Sequence, residues 1–533
     1  MAKRVKKKIK ADVKSLESPK TNYGRRTSDR EPYLKRAREA AEKTIPSLFP
    51  KEGTSGSTTF TTPEQSFGAR ALNFLASKIS LAIMPPNTPM CRLVPPEDIL
   101  DEAQENDTLS QEILKQLTRI EQKLLRFINA NQIRVAVAEG SKQLVVAGNV
   151  LFYLPPESKG VRVYKLTDYT VQRDGFGNIL EIITHEKIAW ATIPTENQAT
   201  IQKESGKSDQ KDSDQFELYT RIALVKEKEA EPYYHSYQEI DGVILEDTVN
   251  IHPFDKLPWI ATRLYKVDGE DYGRGFIEEY QGDLNSLEIL SGALRDLAAI
   301  AASVRILVNP MGMTDPNKLA KAANGAFVAG REEDVRAFQL NKLADLQVAK
   351  AQADSIEARL SYAFLLNSAV QRSGERVTAE EIRYVAGELE STMGGIYSIL
   401  SQEFQLPLVR LLLHQMETTG EIKEMGTSLS LVDIRIITGM EALGRGQDLA
   451  NLEKFVSLVV QLAQAEGIDR LKLDGILTQA ANALNLDSST LVKTDEELAA
   501  EMATQEQQAV DQAGLMAGAN SMGDMAGQLL QQQ

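Results

Sequence analysis

The sequence predicts an α+β chain, mainly helical, in which one strand-rich stretch is bracketed by long helices. Three observations predict it. Apolar residues recur at helical spacing through residues 29–143 and again from residue 276 onward. From about Leu144 to Ile260 the pattern changes to short β-branched and aromatic runs separated by turn residues. Two helical stretches, 276–308 and 378–416, would each span roughly 45–60 Å at 1.5 Å per residue. Helices that long need more than one globular core to cover them, and neighbouring subunits are the natural cover.

Taken in order, residues 1–28 are polar and basic and are predicted to be a mobile arm. Ser28 and Glu31 have the spacing of a capping box, which opens a helix ending before Pro46. Thr62-Pro63-Glu64-Gln65 opens a second helix, whose apolar residues Phe67, Leu72, Leu75, Ile79 and Ile83 share a face. A third runs over about 109–129. Strands follow at 144–146 and 150–154, then a hairpin turning at Asp174–Asn178 and another at Asp241-Gly242. Residues 195–214 are predicted to be a solvated insertion in this strand-rich region, 144–275.

In the second half, a helix over 276–308 stops at Asn309-Pro310. In the compact stretch 309–343, Asp315 caps a short helix that Pro316 opens and Gly325 closes. A further helix, 344–370, leads to a polar break, Gln371 to Val377. Thr378 and Glu381 then cap a long helix reaching Met416, within a segment running to 426. Residues 427–505 are predicted mostly helical and acidic, and the Gln-rich residues 506–533 flexible.

Composition narrows the function classes. Lys plus Arg total 60 against 75 Asp plus Glu, a net charge of −15, which opposes coating nucleic acid by phosphate neutralisation. The charge is uneven: residues 1–50 carry net +9 and residues 433–533 net −9. One cysteine, Cys91, excludes a disulfide framework and a multi-Cys zinc site. No apolar run reaches the ~18 residues of a membrane span, so a soluble intracellular chain with no direct membrane insertion is expected.

Catalytic and cofactor motifs fail on inspection. Gly206-Lys207-Ser208 resembles the end of a phosphate loop, but Ile201 stands where its first Gly belongs. His185-Glu186 begins a zincin pair, but Ala189 stands in place of the second His. Gly273-Arg274-Gly275 and Gly444-Arg445-Gly446 lack the third glycine of a dinucleotide fingerprint and read as turns ahead of helices. The acidic group Asp268, Glu270, Asp271, Glu278, Glu279 and Asp283 reads better as a solvated or salt-bridged face than as a nuclease metal site. No cofactor and no catalytic residue is expected. The break at 371–377 is more suggestive, because in a ring Arg372 and Arg376 would each become a circle of positive charge around an axis.

Several stretches carry a resemblance. They include EPYLKRAREAAEKTIPSLFP (31–50), KQLVVAGNVLFYLP (142–155), VQRDGFGNIL (171–180) and DGEDYGRGFIEEYQGDLNSLE (268–288). The longest, IEARLSYAFLLNSAVQRSGERVTAEEIRYVAGELE (356–390), is followed by YSILSQEFQLPLVRLLL (397–413) and GMEALGRGQDLANLEKF (439–455). In these residues the chain resembles the head-to-tail connector, or portal, of autographivirus-type short-tailed bacteriophages.

The resemblance implies an elongated portal fold assembled as a ring, usually of about twelve subunits, at one capsid vertex. In its plan, 29–275 form the wing, 276–308 and 344–370 the stem helices and 309–343 the clip. Residues 371–377 become the tunnel loop, 378–426 a long wing helix and 427–505 the crown. Implied partners are double-stranded DNA passing non-specifically, a separate terminase, tail adaptor proteins, major capsid and scaffolding proteins, and internal core proteins. Assembly in the host cytoplasm and residence in the virion follow from the same plan. Arg372 and Arg376, with Lys350 and Arg305 on the stem, are the expected DNA-channel contacts. An internal virion or tail-tube protein, and a metal-dependent packaging nuclease, remain as alternatives at this point.

Overall fold

The computed structural model describes residues 17–54, 56–85, 89–94, 107–156, 160–205, 210–226, 231–302, 305–338, 343–366, 395–422 and 433–436. The chain divides into two units. The larger comprises residues 1–92, 122–429 and 434–439, and the smaller 93–121, 430–433 and 440–533. In the smaller unit the buried Glu121 carboxylate accepts the Leu93 backbone N–H at 2.8 Å.

The larger unit opens with α1 (Pro19–Glu42). It starts some ten residues before the expected cap at Ser28, and residues 19–28 are helix rather than mobile arm. Contacts far along the chain outweigh the local capping signal. Tyr23 packs with Ile183 and Tyr219, and Arg30 donates to the carbonyls of Thr167 and Tyr169, both at 2.9 Å. Next along the chain come α2 (Phe67–Ile83), strand β1 (Cys91–Val94), α3 (Asp107–Ala130), whose residues 107–121 belong to the smaller unit, and α4 (Ile133–Ala147). Leu144–Val146, expected as a strand, forms the last turn of α4. A fully buried apolar run has no period to separate the two structures. Gly148 ends that helix at φ +70°, donating to the Leu144 carbonyl at 2.8 Å, and a Cβ there would meet the Arg274 backbone at 2.1 Å.

Two antiparallel sheets follow. The three-stranded one has β2 (Asn149–Tyr153) between β3 (Arg162–Tyr164) and β9 (Trp259–Arg263). The five-stranded one runs in sequence order through β4 (Tyr169–Arg173), β5 (Ile179–Ala189), β6 (Gln215–Val225), β7 (Tyr233–Ile240) and β8 (Val243–Pro253). Both hairpin turns fall where the sequence places them. Asp241 and Gly242 both take positive φ, and Asp174 Oδ1 accepts the backbone N–H groups of Phe176 and Asn178. The insertion at 195–214 is not wholly solvated. It forms helix α5 (Thr195–Ser205), and its Ile201 is buried against Trp190, Ile193, Phe216 and Leu218.

The helices of the second half are α6 (Phe276–Ala302) and α8 (Leu343–Ala363). Between them lie β10 (Arg305–Val308), α7 (Pro316–Lys321) and β11 (Val335–Phe338). The helix expected over 276–308 therefore stops at Ala302, and Arg305 stands on a strand paired with Phe338. The run Arg305-Ile306-Leu307-Val308 contains two β-branched residues, Ile306 and Val308, and finds a partner strand, which overrides the helical pattern before it. After residue 394 come α9 (Ile396–Leu400), a π-helical turn (Ser401–Gln405) and α10 (Leu406–Thr418). The helix ends at Thr418, short of 426. Pro407 sits in the first turn of α10 behind the π turn, which absorbs the hydrogen bond a proline cannot make. Asp433–Ile436 is strand β12, where helix was expected; the rest of 427–505 lies outside the described residues, as do 378–394 and 506–533. Among the described residues no helix is long and apolar enough to cross a membrane.

Candidate channel and assembly surface

Helices α6 and α8 form an antiparallel pair. At its base Phe276 meets Phe364 edge-on at 5.0 Å between ring centroids, and Arg359 reaches Asp283 at 3.0 Å. One face of each helix is covered. Leu284 and Leu287 are buried on α6; Ala353, Ile356 and Leu360 are buried on α8 at three- and four-residue spacing. A second face of each is bare. Ile289 and Ile300 stand exposed on α6, as do Val348 and Tyr362 on α8. Of the twelve large apolar side chains exposed among the described residues, nine fall between Ile289 and Tyr362. A surface that apolar is built to be covered.

The same helices are acidic, with eight Asp/Glu against three Lys/Arg over 276–302 and 343–363. Arg359 is neutralised by Asp283, and Arg295 pairs with Asp296 at 2.9 Å and with Glu64. Lys350 is exposed on α8 with no carboxylate partner among the described residues. Its charge is free to meet an anion.

The tip between the helices is held by one carboxylate. Asp334 Oδ2 accepts the backbone N–H groups of Met313 (2.9 Å) and Thr314 (3.3 Å) and the Thr314 hydroxyl (3.1 Å). Asn309 Oδ1 accepts the Met311 N–H at 3.1 Å, and the Asn309 N–H reaches the Asp334 carbonyl at 2.8 Å. Gly312 is required here, because a Cβ would lie 2.4 Å from the Asp334 carboxylate. The turn so fixed points Met311 and Met313 outward, with Phe327 also exposed. Sequence reasoning missed Asp334: nothing in the Glu-Glu-Asp run marks which carboxylate turns inward.

Chain-wide likeness decides what this surface belongs to. The family model of the bacteriophage head to tail connecting protein matches residues 18–492. The chain belongs to that family. The connector resembles the portal protein of Enterobacteria phage T3, 44% identical over 510 residues, 95% of this chain and 94% of that one. It is 45% identical to the portal protein of Escherichia phage T7 over 493 residues, 92% and 90% of the two chains. The portal protein of Enterobacteria phage SP6 is 31% identical, over 80% and 81% of the two chains. The connector's role is thus structural, joining phage head to tail, rather than enzymatic.

The motifs set aside earlier are structural where they are described. Glu270 is engaged by Arg274 and by the Tyr33 hydroxyl, both at 2.8 Å, and these hold its carboxyl below the usual range. Glu278 pairs with Arg36 at 3.1 Å, and Asp271 accepts the Arg173 N–H. Among the described residues no group of three His, Cys, Asp or Glu is arranged to hold a metal. His185 stacks on Tyr219 at 4.9 Å, and burial pulls its pKa down. Gly206-Lys207-Ser208 and Gly444-Arg445-Gly446 lie outside the described residues. So do Arg372, Arg376 and the side chain of Arg305. Of the four expected DNA contacts, Lys350 alone has a described side chain.

Proposed function

We propose that the chain is one subunit of a closed ring, of about twelve copies, at a single vertex of the capsid. Genomic duplex DNA passes through the centre of the ring during packaging and leaves by the same route at ejection. The observation that carries this reading is the bare apolar face on α6 and α8. In a ring the neighbouring subunit covers it, while the acidic residues of the same helices face the channel and repel DNA along its length. Lys350 then supplies a sparse positive contact on that wall, with Arg372 and Arg376 on the tunnel loop and Arg305 where the stem meets the clip. Contacts of this kind hold phosphates without reading sequence. In this arrangement 276–302 and 343–363 are the stem and the Asp334-fixed tip is the clip. The clip serves the terminase first and tail adaptor proteins afterwards. The β-rich region and α1–α4 form the wing, which meets major capsid and scaffolding proteins and, on the head side, internal core proteins.

The test is genome packaging and retention by particles carrying Arg372→Ala with Arg376→Ala, and separately Lys350→Glu. Packaged DNA is expected to leak from the first and to load more slowly in the second, with rings still assembled. Unchanged packaging and retention in both would refute the contact assignment.

A further inference from the structure

Among the described residues Lys78 is the one lysine that is buried. On α2 it falls in a stripe with Ala71, Leu75 and Ala82, all of them buried as well. An apolar side chain would serve packing better there, because a buried ammonium has to be given partners. Its Nζ lies 4.8 Å from the centroid of the Phe74 ring and donates to the Leu365 carbonyl at 3.1 Å.

Leu365 lies in the turn that ends α8. It takes φ +59°, a left-handed backbone that a bulky L-residue rarely adopts. The Leu366 N–H returns to the Ser361 carbonyl at 2.8 Å, and the Leu365 N–H to the Tyr362 carbonyl at 3.1 Å. That pair of bonds is the Schellman ending of a helix, which usually carries glycine at the left-handed position. A leucine keeps that backbone only where its surroundings hold it. Phe364, fully buried, anchors the turn by meeting Phe67 and Phe276 edge-on at 6.2 and 5.0 Å. Lys78 adds a positive charge at the carbonyl just past the C-terminus of α8, where the helix dipole favours a cation. The returning chain is tied to the same helix, since Gln405 Nε2 donates at 2.6 Å to the carbonyl of Ile83, the last residue of α2. Helix α2 thus holds the chain on either side of residues 367–394.

We infer that Lys78 is a positioning residue for DNA retention. Through the Leu365 carbonyl it fixes the direction in which the chain leaves α8 towards Arg372 and Arg376. This role rests on the reading of 371–377 as the tunnel loop, and two readouts keep the two apart. The variant is Lys78→Met, which keeps an unbranched apolar stem and removes the donor. In assembled rings, hydrogen exchange is expected to quicken at least about tenfold at the Leu365 and Leu366 amides, with those of Ile356 and Leu360 unchanged. The melting temperature is expected to hold or rise, because an apolar side chain of similar size replaces a buried cation. In a Leu365→Gly background the turn needs no support, and Lys78→Met is expected to change the exchange there less than about threefold. Particles carrying Lys78→Met are expected to leak packaged DNA, as those with Arg372→Ala and Arg376→Ala do. Unchanged exchange at residues 365 and 366 would overturn the inference. So would exchange raised equally along α8 with a lowered melting temperature, the mark of a merely structural lysine. A loosened turn with full DNA retention, while the arginine pair leaks, would overturn it too. Full retention by both variants would refute the tunnel-loop reading, and the retention role with it.

Discussion

Glu403 shows how single residues hold this subunit together. Its carboxylate accepts the Arg263 backbone N–H and the Arg263 Nε, both at 3.0 Å, closing the open edge of β9. Arg263 keeps 3% of its side chain exposed. Arg173 is half-buried beside it: desolvation pushes that guanidinium's pKa down, and the Glu403 charge partly opposes this. One carboxylate thus serves two cations. Glu403→Gln keeps the shape and removes the charge, and is expected to cost about 3–5 kcal/mol, read as a lowered melting temperature. Arg70→Ala, which breaks the exposed 2.8 Å pair with Glu357, is expected to cost less than about 1 kcal/mol. Two histidines set a pH response. Burial pulls both His235 and His252 from 6.5 to about 4. Above pH 6.5 neither the folded nor the unfolded form of these groups binds a proton, so their neutral burial costs nothing extra. Between 6.5 and 4 the unfolded chain binds protons the folded one refuses, and stability falls by about 1.4 kcal/mol per pH unit per group. His252→Gln, which keeps a partner for Ser236, is expected to flatten the fall of melting temperature with acid over that window.

At the scale of elements, the antiparallel α6–α8 pair is half finished in one subunit. Val348 is 70% exposed on a helix whose opposite face is packed. Val348→Asp is expected to leave the subunit folded and prevent its assembly, seen as a shift from ring to monomer mass in solution. The tip is a separate device. Asp334→Ala strips three hydrogen bonds from the 313–314 turn and is expected to speed protease cleavage between residues 309 and 334 at least about tenfold. Rings held by the stem faces should persist. These elements were unevenly legible in the sequence. The turns at 174–178 and 241–242 could be read because Asp and Gly declare their backbone geometry locally. The start of α1, the end of α6 at Ala302 and the helical state of Leu144–Val146 could not. The first two are decided by partners far along the chain, Tyr219 and Thr167 for α1 and β11 for residues 305–308, and the third by a fully buried run that has no period. Asp334 was not legible, since its partners are backbone groups some twenty residues away.

For the whole molecule, net charge and exposed apolar surface point the same way. A chain at −15 with a bare apolar stripe is poorly made as a monomer, and it suits one sector of the proposed ring. In the proposed ring, closure would bury the stripe and would multiply the acidic residues of α6 and α8 into a repulsive wall. Family membership over residues 18–492 and 44–45% identity to the T3 and T7 portal proteins set the connecting role. The arrangement proposed for the stem adds how the subunit could carry it out. The most direct measurement is single-particle electron microscopy of the purified full-length chain. The account expects a rotationally symmetric ring with an open central hole, Val348 at the contact between neighbours and Lys350 on the wall of the hole. Monomers, an open filament, or a ring with Lys350 turned away from its axis would contradict it.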